Sequence, residues 1–361
     1  MLNPFTPPNL PLPVGTINEL AFIDELIEAD CRLEVYIEKA LNSHVSSELF
    51  ITSFWRNEAF ASAQIEGTQA TLEDVIDNTS ENETPIRDIK AVSNYYKTTA
   101  KGYQLLENKK FSKDLICALH SSLMDENNKV NCPNGQFRLS QNQICRNDAM
   151  RTVTYILPKP ELVPQLMDNL INYMNEKSNR YRLLVRAAII HAQFESIHPF
   201  YDGNGRLGRM LIPLYIYSQQ QIEMPIFFIS ESLHQDKFKY YALLNNVREK
   251  NEWNEWIRFF LQISIRQSNK YINLLNAIEL IYDTHLKLIE DKLGSNAEKI
   301  LKYLFKQPII KAPQAAKDLS ISVSTFNRYL KILVESQILY VDDKQRYRKY
   351  YYYDLLDIIR N

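Results

Sequence analysis

The chain has only eight glycines, and three of them, Gly203, Gly205 and Gly208, fall within six residues. In so glycine-poor a chain, such a cluster marks backbone that needs unusual dihedrals or that a ligand approaches closely. The cluster lies in His198-Pro-Phe-Tyr-Asp-Gly-Asn-Gly-Arg-Leu-Gly-Arg209. An apolar helical run, LLVRAAIIHAQFESI, leads up to it, and Pro199 disfavours a helical His198, so that helix should end there. A second helix is predicted from about Gly205 to Gln220. The N–H groups of Gly203, Asn204 and Gly205 then open a helix N-terminus, which favours an anion.

The side chains around this loop fit a polyphosphate. Arg206 and Arg209 stand three apart in the first turn of the second helix and share a face. Two cations there oppose the helix dipole, a conflict that a bound polyanion removes. Asp202, one residue before the anion nest, suits a hard divalent cation such as Mg²⁺ between phosphate oxygens. His198 supplies a group expected to titrate near neutral pH and able to take a proton from an incoming hydroxyl. Each of these residues is ordinary alone; within one helix–loop–helix frame they point to a bound polyanion.

Elsewhere the pattern is mainly α. Helices are predicted at about 17–40, 47–66, 71–77, 86–107, 112–124, 161–177, 180–197, 236–248 and 252–293, after an extended, proline-rich arm at 1–16. The β-branched run Thr152–Ile156 predicts a small hairpin pairing Gln143–Cys145 with Val153–Ile156. Residues 295–361 give three short helical patterns and two strand-like runs, the order of a winged helix-turn-helix. That segment has 12 basic and 7 acidic residues, whereas the whole chain has 42 Lys+Arg against 43 Asp+Glu. A formal charge of -1 excludes a globally basic nucleic-acid binder but leaves room for this local excess. No run approaches the roughly 18 apolar residues of a membrane span. The N-terminus lacks a signal-peptide pattern, and Cys31, Cys117, Cys132 and Cys145 form no CxxC pair, so a reducing cytoplasm is the expected compartment.

The stretch from His198 to Arg209 resembles the Fic family signature, HPFx(D/E)GNGRxxR, at every specified position. LPLP near the start, GQFR at 135–138, the hairpin ending LPKP and EWIRFFL at 255–261 also look like landmarks of that family. The resemblance covers roughly residues 5–265. It implies a Fic-type helical core with a small β-hairpin flap, divided as an N-terminal helical region (1–110), a catalytic core (111–265), a linking helix (266–294) and the winged helix-turn-helix domain (295–361). It implies transfer of AMP from ATP to a Ser, Thr or Tyr hydroxyl of a target protein. His198 would be the general base and Asp202 the Mg²⁺ ligand. Gly203, Asn204, Gly205, Arg206, Leu207, Gly208 and Arg209 would bind ATP. The GNGR segment favours nucleotidyl transfer over the kinase branch of the family, which carries Lys in an altered segment. Val153, Thr154 and Tyr155 match the flap whose edge docks a target segment. Tyr240 and Tyr241 match an aromatic pair near the adenine, and Arg248 lies seven residues on, on the helix face of Tyr241. His120 and His191 read as structural.

A second segment, Ala61-Ser62-Ala63-Gln64-Ile65-Glu66-Gly67, ends the helix predicted at 47–66. Glu66 in a last turn meets the negative end of the dipole and wants a cation. The segment also resembles the family's inhibitory motif, (S/T)xxxE(G/N), so that Ser62, Glu66 and Gly67 would form a brake in which Glu66 pairs with Arg209. The same glutamate could align a water for the reverse reaction, removal of AMP. The partners so implied are ATP, a target protein, the chain itself as a target, and a second copy in a homodimer, with no membrane. The rival reading is a DNA-binding regulator in which Ser324, Asn327, Arg328, Lys331, Lys344, Arg346 and Arg348 of the winged helix contact DNA.

Overall fold

The computed structural model describes residues 4–68, 71–72, 75, 87–124, 134–145, 153–177, 180–219, 225–342 and 348–360. The helix expected at 71–77 falls largely outside these residues, as do Cys132, Lys344 and Arg346. The described chain is mainly helical, with two small antiparallel sheets. It forms two compact units. One combines Met1–Glu34, Glu58–Gln69 and Ile86–Ser268, and the other Val35–Asn57, Ala70–Pro85 and Asn269–Asn361. No helix among the described residues is long and apolar enough to cross a membrane.

The helices are α1 (Ile23–Asn42), α2 (Ser47–Glu66), α3 (Arg87–Leu106), α4 (Lys113–Leu123), α5 (Val163–Asn175), α6 (Leu183–Ile197), α7 (Asn204–Gln219), α8 (Ser230–Gln235), α9 (Lys237–Lys250) and α10 (Trp253–Leu293). The first unit is organised around α6, in which every residue except Leu183 is buried. An evenly apolar helix of this kind has no polar face and must be enclosed. It packs against α5 and α7, and α7 in turn packs on α3. Several polar groups of α6 find partners inside: Arg186 Nη2 donates to the carbonyls of Tyr173 and Glu176, and the Ala188 carbonyl accepts from Trp256 Nε1. Strand β1 (Gln143–Cys145) pairs antiparallel with β2 (Val153–Ile156), setting Gln143 opposite Ile156, with an irregularity between Ile144 and Cys145. These are the expected strands. The N-terminal arm reaches them, since Phe5 donates its N–H to the Ile156 carbonyl at 3.1 Å.

The second unit holds α11 (Ala297–Lys306), β3 (Ile309–Lys311), α12 (Ala312–Asp318), α13 (Val323–Glu335), β4 (Tyr340–Val341), β5 (Lys349–Tyr351) and α14 (Tyr353–Arg360). Its sheet runs β3-β5-β4, which adds a strand before α12 to the helices and strands predicted from the sequence. Phe326, Tyr329, Leu330 and Leu333 bury one face of α13, and Ser324, Asn327, Arg328 and Lys331 lie on its exposed side. Ser322 caps this helix by accepting from Thr325 N.

Candidate active site

The site is assembled where α6 stops and α7 starts. His198 follows the last residue of α6 in a left-handed conformation, φ 49°, and its N–H still bonds to the Phe194 carbonyl. A side chain held in this region costs energy, and such residues gather at functional sites. Asn204 closes the loop: its amide donates to the Phe200 carbonyl and accepts from Phe200 N, both within 2.9 Å. Gly203, φ 77°, provides the sharp entry, and its carbonyl accepts the first helical bond, from Leu207. Leu207 is wholly buried, and Gly208 lies against Phe194 and Glu195, so both face the core.

The loop is held from below by residues far away in sequence. Arg138, only 1% exposed, donates to the carbonyls of His198, Ile197 and Pro158. It thereby satisfies helix-end carbonyls that α6 leaves without partners. His120 stacks on Phe200 at 3.7 Å and joins two loops. Its Nδ1 accepts from Gly135 N, so Nε2 carries the proton and donates to the Asp202 carbonyl at 2.9 Å. Burial pushes His120 down to about 4 and keeps it neutral for this task. Neither role is visible in the sequence, because a bridging side chain leaves no periodic signal; Arg138 belongs to the quoted GQFR segment, but only the fold says what it holds.

His198 does not titrate near neutral pH as expected from its type. Burial, with Arg248 and Arg138 close by, pushes it down to about 3. The ring is therefore neutral, the form that accepts a proton. Asp202 keeps a half-exposed carboxylate; Oδ1 accepts from Gly203 N at 2.7 Å, and Oδ2 lies 3.9 Å from Arg206. Among the described residues no group of three His, Cys, Asp or Glu side chains gathers to hold a metal. Asp202 is thus a single carboxylate beside an anion nest, which fits an ion such as Mg²⁺ that takes one or two carboxylates plus phosphate oxygens.

Arg209 is the most enclosed charge of the site. Nε donates to Ser62 Oγ at 2.9 Å, and Nη2 donates to the Ser62 carbonyl and to Glu66 Oε1, the latter at 2.6 Å. Burial works to raise Glu66, but the charge and hydrogen bond of Arg209 outweigh it and hold the carboxyl below its ordinary range. Glu66 is the last residue of α2, and Gly67, φ 95°, ends the helix with bonds from Gly67 N to Gln64 O and from Thr68 N to Ala63 O. This pair of bonds is a Schellman cap. A Cβ built on Gly205 would lie 2.5 Å from Glu66 Oε1, so the carboxylate fills the space above the first turn of α7. The C-terminal end of α2 thus delivers an anion to the N-terminus of α7.

The flap and α9 complete the surroundings. Tyr155 is buried and donates to the Ser196 carbonyl at 2.8 Å, while Val153 and Thr154 contribute the strand backbone beside it. Arg248 lies over the Tyr155 ring at 4.4 Å and donates to the Glu195 carbonyl and Ser196 Oγ, bracing the end of α6. Tyr240 is buried and donates to His191 Nε2 at 2.9 Å, and His191 Nδ1 donates to the Gly208 carbonyl. Tyr241 is 40% exposed, with its ring 5.0 Å from that of Tyr240. Sequence reasoning missed Glu195, whose buried Oε1 has no hydrogen-bond partner among the described residues and which burial pushes up to about 7. It also missed Glu58, buried beside Tyr95 and Ser230.

Residues 110–216 match the Fic/DOC family and residues 23–104 its N-terminal region, together just over half of the chain. Over 172 residues the chain is 30% identical to a probable protein adenylyltransferase of Aquifex aeolicus, covering 46% of this chain and 48% of that one. A protein adenylyltransferase of Caenorhabditis elegans, fic-1, is 24% identical over 47% of this chain and 30% of its own length. The match therefore spans about half or less of these relatives. The fold resembles that of a Fic family protein from Desulfovibrio desulfuricans, with a TM-score of 0.59 and 21% identity over 94% of this chain and 98% of that one. Two helices, a glycine-turned loop and an arginine pair thus coincide with a family match on both sides of the loop, and the chain belongs to the Fic/DOC family.

Proposed function

We propose that this protein transfers AMP from ATP to a hydroxyl side chain of a target protein and that Glu66 restrains the reaction. The observation carrying this reading is the loop from His198 to Asn204, with a neutral imidazole at one end and an anion nest with two arginines at the other. The naming of the Aquifex and nematode relatives as adenylyltransferases supports the reaction class. His198 accepts the proton of the target hydroxyl, and the hydroxyl oxygen attacks the α-phosphorus. The bond from that phosphorus to the bridging oxygen breaks, and pyrophosphate leaves. The Gly203–Gly205 backbone, Arg206 and Arg209 hold phosphate oxygens, so most of the rate comes from position and charge stabilisation. Asp202 would hold Mg²⁺, which when bound would neutralise phosphate charge. Glu66 on Arg209 withholds that guanidinium from the terminal phosphate, and the chain itself is a further target when the restraint is lifted.

The test uses two labels. Incubated with a host lysate, the protein should label a target from ATP labelled at the α-phosphate and leave it unlabelled from ATP labelled at the γ-phosphate. Label arriving only from the γ-position would make the enzyme a kinase and overturn the reading.

A further inference from the structure

Glu58, Ser62 and Glu66 are spaced by four along α2 and share one face of that helix. The last two contact Arg209, whereas Glu58 contacts neither this arginine nor the loop through any hydrogen bond found among the described residues. It is 3% exposed, and its carboxylate accepts from Tyr95 Oη at 3.0 Å, from Ser230 N at 3.0 Å and from Ser230 Oγ. Tyr95 stands on α3 and Ser230 is the first residue of α8; both are buried. A buried carboxylate is tolerated only where donors surround it, and here three donors from two other elements do so. Moving Glu58 by one helical step, about 1.5 Å along the axis and a turn of about 100°, would take its carboxylate off all three donors in the interior.

The two ends of the face therefore differ in kind. Glu58 is enclosed and bonded on all sides, while 43% of the Glu66 side chain is open to solvent. Eight residues of unbroken helix connect them, a rigid rod about 12 Å long. We propose that Glu58 is the positioning residue of the restraint: bonded to Tyr95 and Ser230, it fixes the register of α2 and so keeps Ser62 and Glu66 on Arg209. This rests on the proposed role of Glu66. It adds a control point outside the signature, at which loosening the contact of α2 with α3 and α8 releases Arg209 without altering any group that touches ATP.

The experiment measures label transfer from ATP and the KM for ATP in wild type, Glu58→Gln, Tyr95→Phe, Glu66→Gly and the Glu58→Gln/Glu66→Gly double variant. Glu58→Gln keeps the volume but sets an amide donor among donors, and Tyr95→Phe removes one donor with less risk to folding. Each should raise transfer severalfold and lower the KM for ATP, and Glu58→Gln should add nothing further in the Glu66→Gly background. A purely structural Glu58 would instead lower transfer by the same factor in both backgrounds, and that result overturns the proposal. So does unchanged transfer in both Glu58→Gln and Tyr95→Phe while Glu66→Gly is activated. If Glu66→Gly is itself no more active than wild type, the restraint is absent and Glu58 has nothing to position.

Discussion

Arg209 and Glu66 meet at 2.6 Å with opposite exposures: the arginine side chain is fully enclosed, and the glutamate side chain is 43% exposed. The arginine is therefore the fixed member of the pair and the glutamate the removable one. Among the described residues, a buried guanidinium without Glu66 would keep hydrogen bonds to the Ser62 oxygens alone, and its Nη1 already lacks a partner there. An uncompensated buried charge is strongly unfavourable. Under the proposed function, a phosphate oxygen arriving at Arg209 would relieve that cost, so that displacement of Glu66 and recruitment of nucleotide would be two sides of one exchange.

Glu66→Gly should raise AMP transfer, including self-modification, and should lower Tm in the absence of nucleotide, with ATP restoring more of the loss than it adds to wild type. Arg209→Ala breaks the same pair but removes the phosphate contact, so it should not activate, and the double variant should behave like Arg209→Ala. Label transfer and thermal melts of the three variants at equal concentration check this. Equal activation by Arg209→Ala would return Glu66 to an ordinary helix-end residue.

His198→Ala should abolish transfer, by on the order of 10²–10⁴ in rate, while ATP still binds. The measurement is best made in the Glu66→Gly background, where the signal is larger. Near-complete transfer there would remove His198 from the chemistry.

Asp202→Ala should lose Mg²⁺-dependent activity and recover only part of it at high Mg²⁺. Because the described residues gather no group of three metal-ligating side chains, Asp202 is the carboxylate on which the ion would depend, and chelation by EDTA should have the same effect on wild type. An enzyme fully active in EDTA would leave Asp202 with its contacts to Gly203 N and Arg206 and no metal role.

Glu195 should make stability depend on pH. Burial raises its carboxyl from 4.5 to about 7, against the opposing charges of Arg209 and Arg248. A group whose folded pKa lies above the unfolded one contributes stability that is complete below about 4.5 and is lost as pH rises to about 7. The Tm of Glu195→Gln relative to wild type should therefore climb across that window and level off above it. The comparison cancels His120, His191 and His198, whose lowered values act in the other direction as pH falls. A difference that stays constant across the window would show that folding does not raise the Glu195 carboxyl.

Gly203→Ala should weaken nucleotide binding and lower Tm. A Cβ there would lie 2.6 Å from Met124 Sδ, and φ 77° costs an L-residue roughly 1–2 kcal/mol. If calorimetry shows unchanged ATP affinity, the entry to α7 tolerates more freedom than its geometry implies.

The end of α6 before Pro199, the start of α7 at the glycine cluster, the Gly67 helix stop and the pairing of 143–145 with 153–156 were all legible in the sequence. Each is dictated by local physics: proline's clash with the preceding residue, glycine's access to positive φ, and the preference of β-branched runs for strands. The conflict of Glu66 with its own helix end could also be read, because dipole and charge are both local. Tertiary structure decided which groups answer such conflicts. It decided that Arg138 and His120 hold the loop, that Glu58 is enclosed by Tyr95 and Ser230, and that His198 is neutral with its value near 3. Those outcomes depend on partners from 37 to 172 residues away and on how much water the packed core excludes. Neither pairing across such distances nor burial is encoded at any single position, so both appear only when the chain is folded.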